Sequence, residues 1–436
     1  MTALDVDRAP ANLLIFSDDW GRHPSSCQYL TAELLKAAER SKGRGTDDAG
    51  ENPTDGPNAA TRGAEISQRV APGSHFATCD SRLPAPAQTL WVNTIGTRPP
   101  RFDLLTLRRG LEKVAGWLRP GGNGGAAAEL PAGLRLANPR MWPWVHSSAA
   151  RKINRHLLSR QLVAQMAAAD GPWTAVTTIP IAALVIDALP VDRWVYYCVD
   201  DFSVWPGLDG QTLLQLERDV VERADQIICA SETLAGRIET LGRQATVVTH
   251  GVHTDFWATA GESPSPPWLD SLPRPLAVFW GVVDQRLDTE WLGVLAASPE
   301  IASIALVGPQ QNPDPVLLTR DKLHLVGAVP MEQLPAIASL ADVLVMPYLD
   351  EPVTRAMQPL KLKEYLATGR PVVVRRLPAT EPWSDCCDVV ADPDSFVTVA
   401  QQRAAEGVPA VQQASRTRLR AESWQAKAVA FWRQVF

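Results

Sequence analysis

The sequence has no apolar run of about 18 residues, so no membrane-spanning helix is expected. Its first residues, MTALDVDRAPANLLIF, lack the basic region and long apolar core of a secretory signal. Positive charge is not in excess. With 42 Lys and Arg against 48 Asp and Glu, the formal net charge is −6, and composition gives no argument for nucleic-acid binding. Cysteine is sparse: Cys27, Cys79, Cys198, Cys229, Cys386 and Cys387 show no paired metal-type spacing. Adjacent Cys386 and Cys387 suit neither a zinc pair nor an ordinary disulfide. A reducing cytoplasm is the expectation.

What is present is repetition of short apolar runs. Strands are expected near Leu13–Phe16, Thr89–Asn93, Ala175–Thr178, Trp194–Cys198, Gln226–Ala230 and Thr246–Thr249, then near Leu276–Trp280, Ile304–Val307, Leu323–Val326, Val343–Met346 and Pro371–Arg375. Helix-length segments such as Thr212–Arg223 and Glu332–Ser339 lie between them. Alternation of this kind predicts α/β architecture with parallel sheets covered on both faces. The 436 residues suit two to three domains, and the series breaks at ATAGESPSPPWLDSLPRP, whose five prolines predict a stiff linker over 258–275. The expected organisation is therefore two doubly wound, Rossmann-like domains, 1–257 and 276–420, facing a cleft, followed by a helix over 421–436. Ser423 is a natural cap for that helix, and Trp424, Ala428, Phe431 and Val435 recur at helical spacing. Ser41–Pro86 reads as a flexible insertion and Pro120–Ala127 as a flexible loop. In open parallel sheets ligands bind outside the carboxyl ends of the strands, so the loops there are the places to search.

One such place is MQPLKLKEYLATGRPVVV, residues 357–374. Pro359 suits the start of a helix and Gly369 the position past its end. Leu362, Tyr365 and Leu366 share a face that can pack on a sheet. Lys361 and Glu364 share another. Either they form an intrahelical ion pair, or the helix N-terminus and Lys361 bind phosphate while Glu364 accepts hydrogen bonds from ribose hydroxyls.

The stretch PLKLKEYLATGRPVV resembles the donor-site helix of family-4-type glycosyltransferases (glycosyl transferases group 1) with the GT-B fold. It is closest to those of teichuronic-acid and exopolysaccharide biosynthesis. YYCVDDFSVW at 196–205, ADQIICASETL at 224–234, VVTHGVHTDFW at 247–257, GVVDQRLD at 281–288 and HLVGAVPMEQLPAIASLADVLVMPY at 324–348 carry the same resemblance.

The resemblance implies a transferase that moves a sugar from a nucleotide-diphosphate donor to an acceptor hydroxyl. Configuration at the anomeric carbon is retained and no catalytic metal is needed. The donor would lie against the second domain. Arg286 matches the basic residue that grips the diphosphate; otherwise it is a surface arginine paired to Asp284 or Asp288. Lys361 is a second phosphate ligand, at the helix start formed by Pro359 and Leu360. Glu364 matches the ribose-binding glutamate, and backbone at Val326, Gly327 and Val329 would face the base. The family's first glutamate, eight residues before Glu364, is replaced by Ala356.

On the acceptor side, Gly21 and Arg22 follow the first strand, where glycine lets backbone approach a phosphate or simply makes a turn. Asp200 and Asp201 could orient the acceptor hydroxyl as a general base, cap a helix or form a structural ion pair. His250 is either catalytic or a buried turn histidine. The acceptor would be a glycan or glycolipid. Basic, leucine-bearing stretches at Thr97–Arg119 and 150–160 fit peripheral contact with the inner face of a membrane, or a solvated surface. Two other readings stay open: a non-catalytic nucleotide-sugar-binding or scaffold protein, and a sugar-nucleotide epimerase of the same fold.

Overall fold

The computed structural model describes residues 11–22, 25–47, 83, 85–93, 130–259 and 265–436, with the backbone alone over 41–47. Two sheets form. The first contains β1 (Asn12–Phe16), β2 (Thr89–Val92), β3 (Leu134–Ala137), β4 (Trp173–Thr177), β5 (Arg193–Cys198), β6 (Gln226–Cys229) and β7 (Thr246–Val247). Its order is β3-β2-β1-β4-β5-β6-β7, and every pairing is parallel. The second contains β8 (Leu276–Trp280), β9 (Ser303–Val307), β10 (Leu323–Gly327), β11 (Val343–Met346), β12 (Val372–Arg375) and β13 (Asp388–Val390). Its order is β10-β9-β8-β11-β12-β13, again parallel throughout.

These are two Rossmann-like units. NLLIF in β1 and LAVFW in β8 are buried at every position, because helices cover both faces of each sheet. In both sheets the order reverses beside the first strand, between β1 and β4 and between β8 and β11. A crevice therefore opens at the carboxyl ends. Two short strands, β3 and β13, were not expected from sequence. Both are edge strands, of four and three residues.

Each sheet has its own core. Val248 belongs to the first and Val252, Trp257 and Leu269 to the second, so the chain crosses between Val248 and Val252. Most of the described proline-rich segment thus lies on the second unit. The chain returns between Leu419 and Trp424. The two crossings run side by side: Val252 N–H donates to Glu422 O at 2.9 Å and Trp424 N–H to Val252 O at 3.4 Å. The terminal Trp424–Val435 helix, capped by Ser423, then packs on the first unit. Trp432 Nε1 donates to Leu30 O at 2.8 Å, and Phe431 lies 4.8 Å from the Tyr197 ring.

The Ser26–Asp47 helix carries the chain regularly into the start of Ser41–Pro86. The rest of that segment, apart from residues 83, 85 and 86, lies outside the described residues, as do Thr97–Arg119 and Pro120–Ala127. Among the described residues no helix is long and apolar enough to cross a membrane.

Candidate functional site

Three glycines build the floor of a crevice in the second unit. Gly281 (φ +138°), Gly308 (φ +144°) and Gly327 (φ +85°) stand at the carboxyl ends of the neighbouring strands β8, β9 and β10. A Cβ on Gly308 would lie 1.9 Å from Gly281 O, and one on Gly281 would lie 2.0 Å from Lys361 Nζ. Gly308 N–H donates to Gly327 O at 2.7 Å. Backbone replaces side chains here, so a ligand can approach the strand ends closely. Val326 and Val329 pack partly on the second core beside Gly327.

The wall is the Leu360–Ala367 helix. Pro359 occupies its cap position, one residue before the first helical residue, and Gly369 (φ +74°) closes it. Leu362, Tyr365 and Leu366 are buried on the second core, while Leu360 packs against the first. The Lys361 ammonium donates to the Tyr348 hydroxyl and lies 4.4 Å from the Phe279 ring and 4.9 Å from the Tyr348 ring. The Arg286 guanidinium lies 5.8 Å from that same tyrosine ring. It also donates to Asp284 (Nε and Nη2, 3.0 and 2.8 Å) and sits 3.7 Å (Nη1) from Met357 Sδ. Two cations thus converge on one aromatic ring.

Glu364 follows one turn along. Its Oε2 accepts from Trp280 Nε1 at 3.2 Å. The side chain is half-buried. Burial pushes its carboxyl up to about 7, against the Trp280 N–H and the Lys361 charge, which draw it down.

Across the crevice stands the segment after β5. Trp205 places its ring 5.0 Å from the Arg286 guanidinium. Asp200 is half-buried, and its carboxyl is pushed up to about 7 by burial; Arg286 draws it down and Asp201 raises it. The neighbouring Asp201 is committed differently. It pairs with Arg237 Nε at 2.8 Å and accepts from Ser203 N–H and Oγ at 3.0 and 2.5 Å. Arg237 also forks onto buried Glu217, which accepts from Tyr196 OH at 2.8 Å. Asp201 therefore anchors its loop within an ion network, whereas Asp200 faces the cation of the opposite unit.

In the loop after β1, Gly21 (φ +74°) donates its N–H to Gln28 Oε1 at 2.9 Å. Arg22 is exposed and pairs with Asp19 at 3.1 Å. Asp18 accepts from Ser17 Oγ, Ser25 Oγ and Gln28 Nε2 at 2.8 to 2.9 Å, which fixes the loop over the first turn of the Ser26–Asp47 helix. His250 lies at the crossing, 6 % exposed, near the Gln358 backbone. Burial, then the Lys363 charge, lowers it to about 3, so the imidazole is neutral near pH 7. Among the described residues no group of three or more His, Cys, Asp or Glu could hold a metal ion.

Trp280, Tyr348, Gly281 and Gly308 belong to this crevice but were not singled out from sequence. The signal for the glycines was an apolar run ending in Gly, in LAVFWG and SIALVG as in LHLVG. No local pattern distinguishes Trp280 or Tyr348 from core aromatics. The arrangement offers positive charge, backbone access and a hydrogen-bond-accepting carboxylate within one crevice, a set suited to a phosphorylated, hydroxyl-bearing ligand.

Residues 278–406, which hold all of this wall and floor, match the family model described as Glycosyl transferases group 1. The chain is 29 % identical over 219 residues to a Bacillus subtilis protein named as a teichuronic acid biosynthesis glycosyltransferase, TuaH. That match covers 47 % of this chain and 55 % of the other, so the chain spans about half the length of the curated relative it matches. The fold is similar to that of sucrose-phosphate synthase from Thermosynechococcus elongatus, with a TM-score of 0.58 at 18 % identity over 79 % of this chain and 88 % of that one. It is also similar to that of a trehalose-6-phosphate synthase, OtsA, with a TM-score of 0.56 at 12 % identity over 98 % of this chain and 99 % of that one. At such identities the structural likeness is one of fold, here the GT-B arrangement of two Rossmann-like units.

Proposed function

We propose that the protein, whose residues 278–406 match the model of glycosyl transferases group 1, is a glycosyltransferase. It moves a glycosyl group from a nucleotide-diphosphate sugar to an acceptor hydroxyl. The observation that carries the reading is the convergence of Arg286 and Lys361 on Tyr348, beside the glycine floor and one turn from Glu364. In the reaction the bond from the anomeric carbon to the diphosphate breaks, and the electron pair leaves with the phosphate oxygen. Stabilising that charge is the main electrostatic task. Arg286, Lys361 and the N–H groups opening the Leu360–Ala367 helix supply the positive field. Glu364 accepts the ribose hydroxyls, and backbone at 326–329 borders the base.

The acceptor oxygen bonds to the anomeric carbon, and its proton passes to the departing diphosphate or to Asp200, which faces Arg286 from the first unit. His250 lies neutral and buried at the crossing, and the Gly21–Arg22 turn borders the acceptor side. We assign a role in polysaccharide or glycolipid assembly on the likeness to the Bacillus protein, and retention of configuration on the resemblance of PLKLKEYLATGRPVV to the donor-site helix of family-4-type transferases. A lipid-linked acceptor fits the Ser148–Met166 helix, which contains no acid; Lys152, Arg155 and Arg160 flank Ile153 and Leu157, 47 % and 37 % exposed. This reading places the protein in the cytoplasm at the inner face of the membrane.

A second reading, a non-catalytic nucleotide-sugar-binding protein, is favoured by Ala356, which stands where the family resembled has its first glutamate. Its carbonyl instead accepts from Ser231 Oγ of the first unit at 3.3 Å. Calorimetric titration with UDP, GDP, ADP and dTDP, followed by turnover of the corresponding sugars, separates the two. Binding with donor consumption supports transfer, and binding without consumption supports the second reading. Failure of every nucleotide to bind overturns both.

A further inference from the structure

Lys363 sits on the helix between the two residues assigned to the donor, Lys361 and Glu364, yet it faces neither solvent nor crevice. Its side chain is 3 % exposed. The ammonium donates to His250 O and to Glu422, and to Thr249 Oγ1 at 3.2 Å. Thr249 Oγ1 donates in turn to Glu422 Oε2 at 3.4 Å, and Lys427 Nζ lies 2.8 Å from the same carboxylate. Thr249 and His250 lie on the outward crossing between the units; Glu422 lies on the return crossing. Three donor hydrogens of one ammonium therefore hold one helix and both connections.

The crossings themselves are packed without slack. A Cβ on Gly251 would lie 2.7 Å from the Trp424 ring. Burying an ammonium is costly unless its hydrogens are all satisfied, and a straight apolar chain of similar length would fill the same space without that cost. A charge at this position needs a reason beyond packing. The geometry supplies one: no apolar side chain could fasten the helix to two separate backbone segments at once.

We infer that Lys363 is a positioning residue that pins the helix carrying Glu364 to both interunit crossings, so that the donor groups of the second unit stay in register with the first. This rests on the proposed donor site only for its kinetic consequence. The pin itself can be tested without turnover.

The test is Lys363→Met in the full chain. Glu422 keeps Lys427 as partner, so the substitution leaves no carboxylate stranded. Amide hydrogen exchange is expected to rise about tenfold or more in 248–252 and 420–424, while peptides of β8 are unchanged. The affinity for UDP should stay within about threefold, and where transfer is measurable kcat should fall about tenfold with donor KM little moved. Unchanged exchange at both crossings overturns the inference. So does exchange raised equally in β8, which would mark general destabilisation. Glu422→Gln, which keeps shape and loses charge, decides the matter if Lys363→Met fails to fold: it should raise exchange at the same two segments by about threefold, and no rise refutes the pin. Absence of transfer in the wild type would overturn the proposed function and leave these exchange results decisive for the pin.

Discussion

Glu364 is placed so that one substitution should move binding and stability in opposite directions. Its carboxyl is half-buried and raised to about 7, with a single hydrogen bond from Trp280 to support the charge. A carboxylate accepting ribose hydroxyls makes charge-assisted bonds of about 1.5–3 kcal/mol, so Glu364→Gln should weaken nucleotide-sugar binding by about 10-fold or more. The bond-accepting form is the ionised one. Wild-type affinity should therefore fall by about tenfold between pH 8 and pH 6, and the Gln variant should be flat over that range. The ligand must be a diphosphate sugar rather than free UDP, because a terminal phosphate titrates near pH 6 and would mask the effect.

Stability runs the other way. A carboxyl whose folded value lies above its unfolded one binds protons more tightly in the folded state. Stability is then lost as pH rises from about 4.5 through 7 and is not regained above. With allowance for partial exposure, the loss at pH 8 is about 1–2 kcal/mol, which Glu364→Gln removes. Its melting temperature should exceed the wild type's by about 2–6 °C at pH 8 and match it at pH 4.5. Isothermal titration at three pH values and paired thermal melts make the measurement. A Gln variant that binds as tightly as wild type, or that is less stable at pH 8, would refute the reasoning.

Other substitutions read the remaining walls. Arg286→Ala should cost the diphosphate about 10- to 100-fold in calorimetric affinity, and Arg286→Lys less, because lysine keeps the charge but loses the fork. Gly308→Ala forces a Cβ to 1.9 Å from Gly281 O at φ +144°, so the ends of β8 and β9 must separate; a melting temperature lower by at least about 4 °C is expected, with donor binding lost. Glu217→Ala leaves Tyr196 OH without its acceptor and Arg237 with Asp201 alone, and should destabilise the first unit by about 1–3 kcal/mol in denaturant titration while leaving nucleotide affinity of the folded protein intact.

The apolar runs of β1, β4 to β6, β8, β9, β11 and β12 were legible because strands buried on both faces are largely apolar. That constraint is local to the run. The edge strands β3 and β13 carry too few buried positions to give such a signal. The Leu360–Ala367 helix announced itself through a proline start, a glycine stop and one apolar face, and Ser423 announced the terminal helix in the same way. Sequence could also mark Asp200 and Asp201 as a pair past a strand end. It could not separate them, because one is drawn into the Arg237–Glu217 network and the other turned toward Arg286 by residues tens of positions away.

By itself, then, the sequence determined two parallel α/β units and the helix on which the candidate site is built, since periodicity, caps and glycine stops act over a few residues. Only the tertiary structure decided that the terminal helix returns to the first unit, that Arg286 and Lys361 share the Tyr348 ring, and that Lys363 binds the crossings. Each of those depends on where separate strand ends and chain crossings meet in space. The energy of a buried charge is set by the partners found there, not by the residues beside it in the chain.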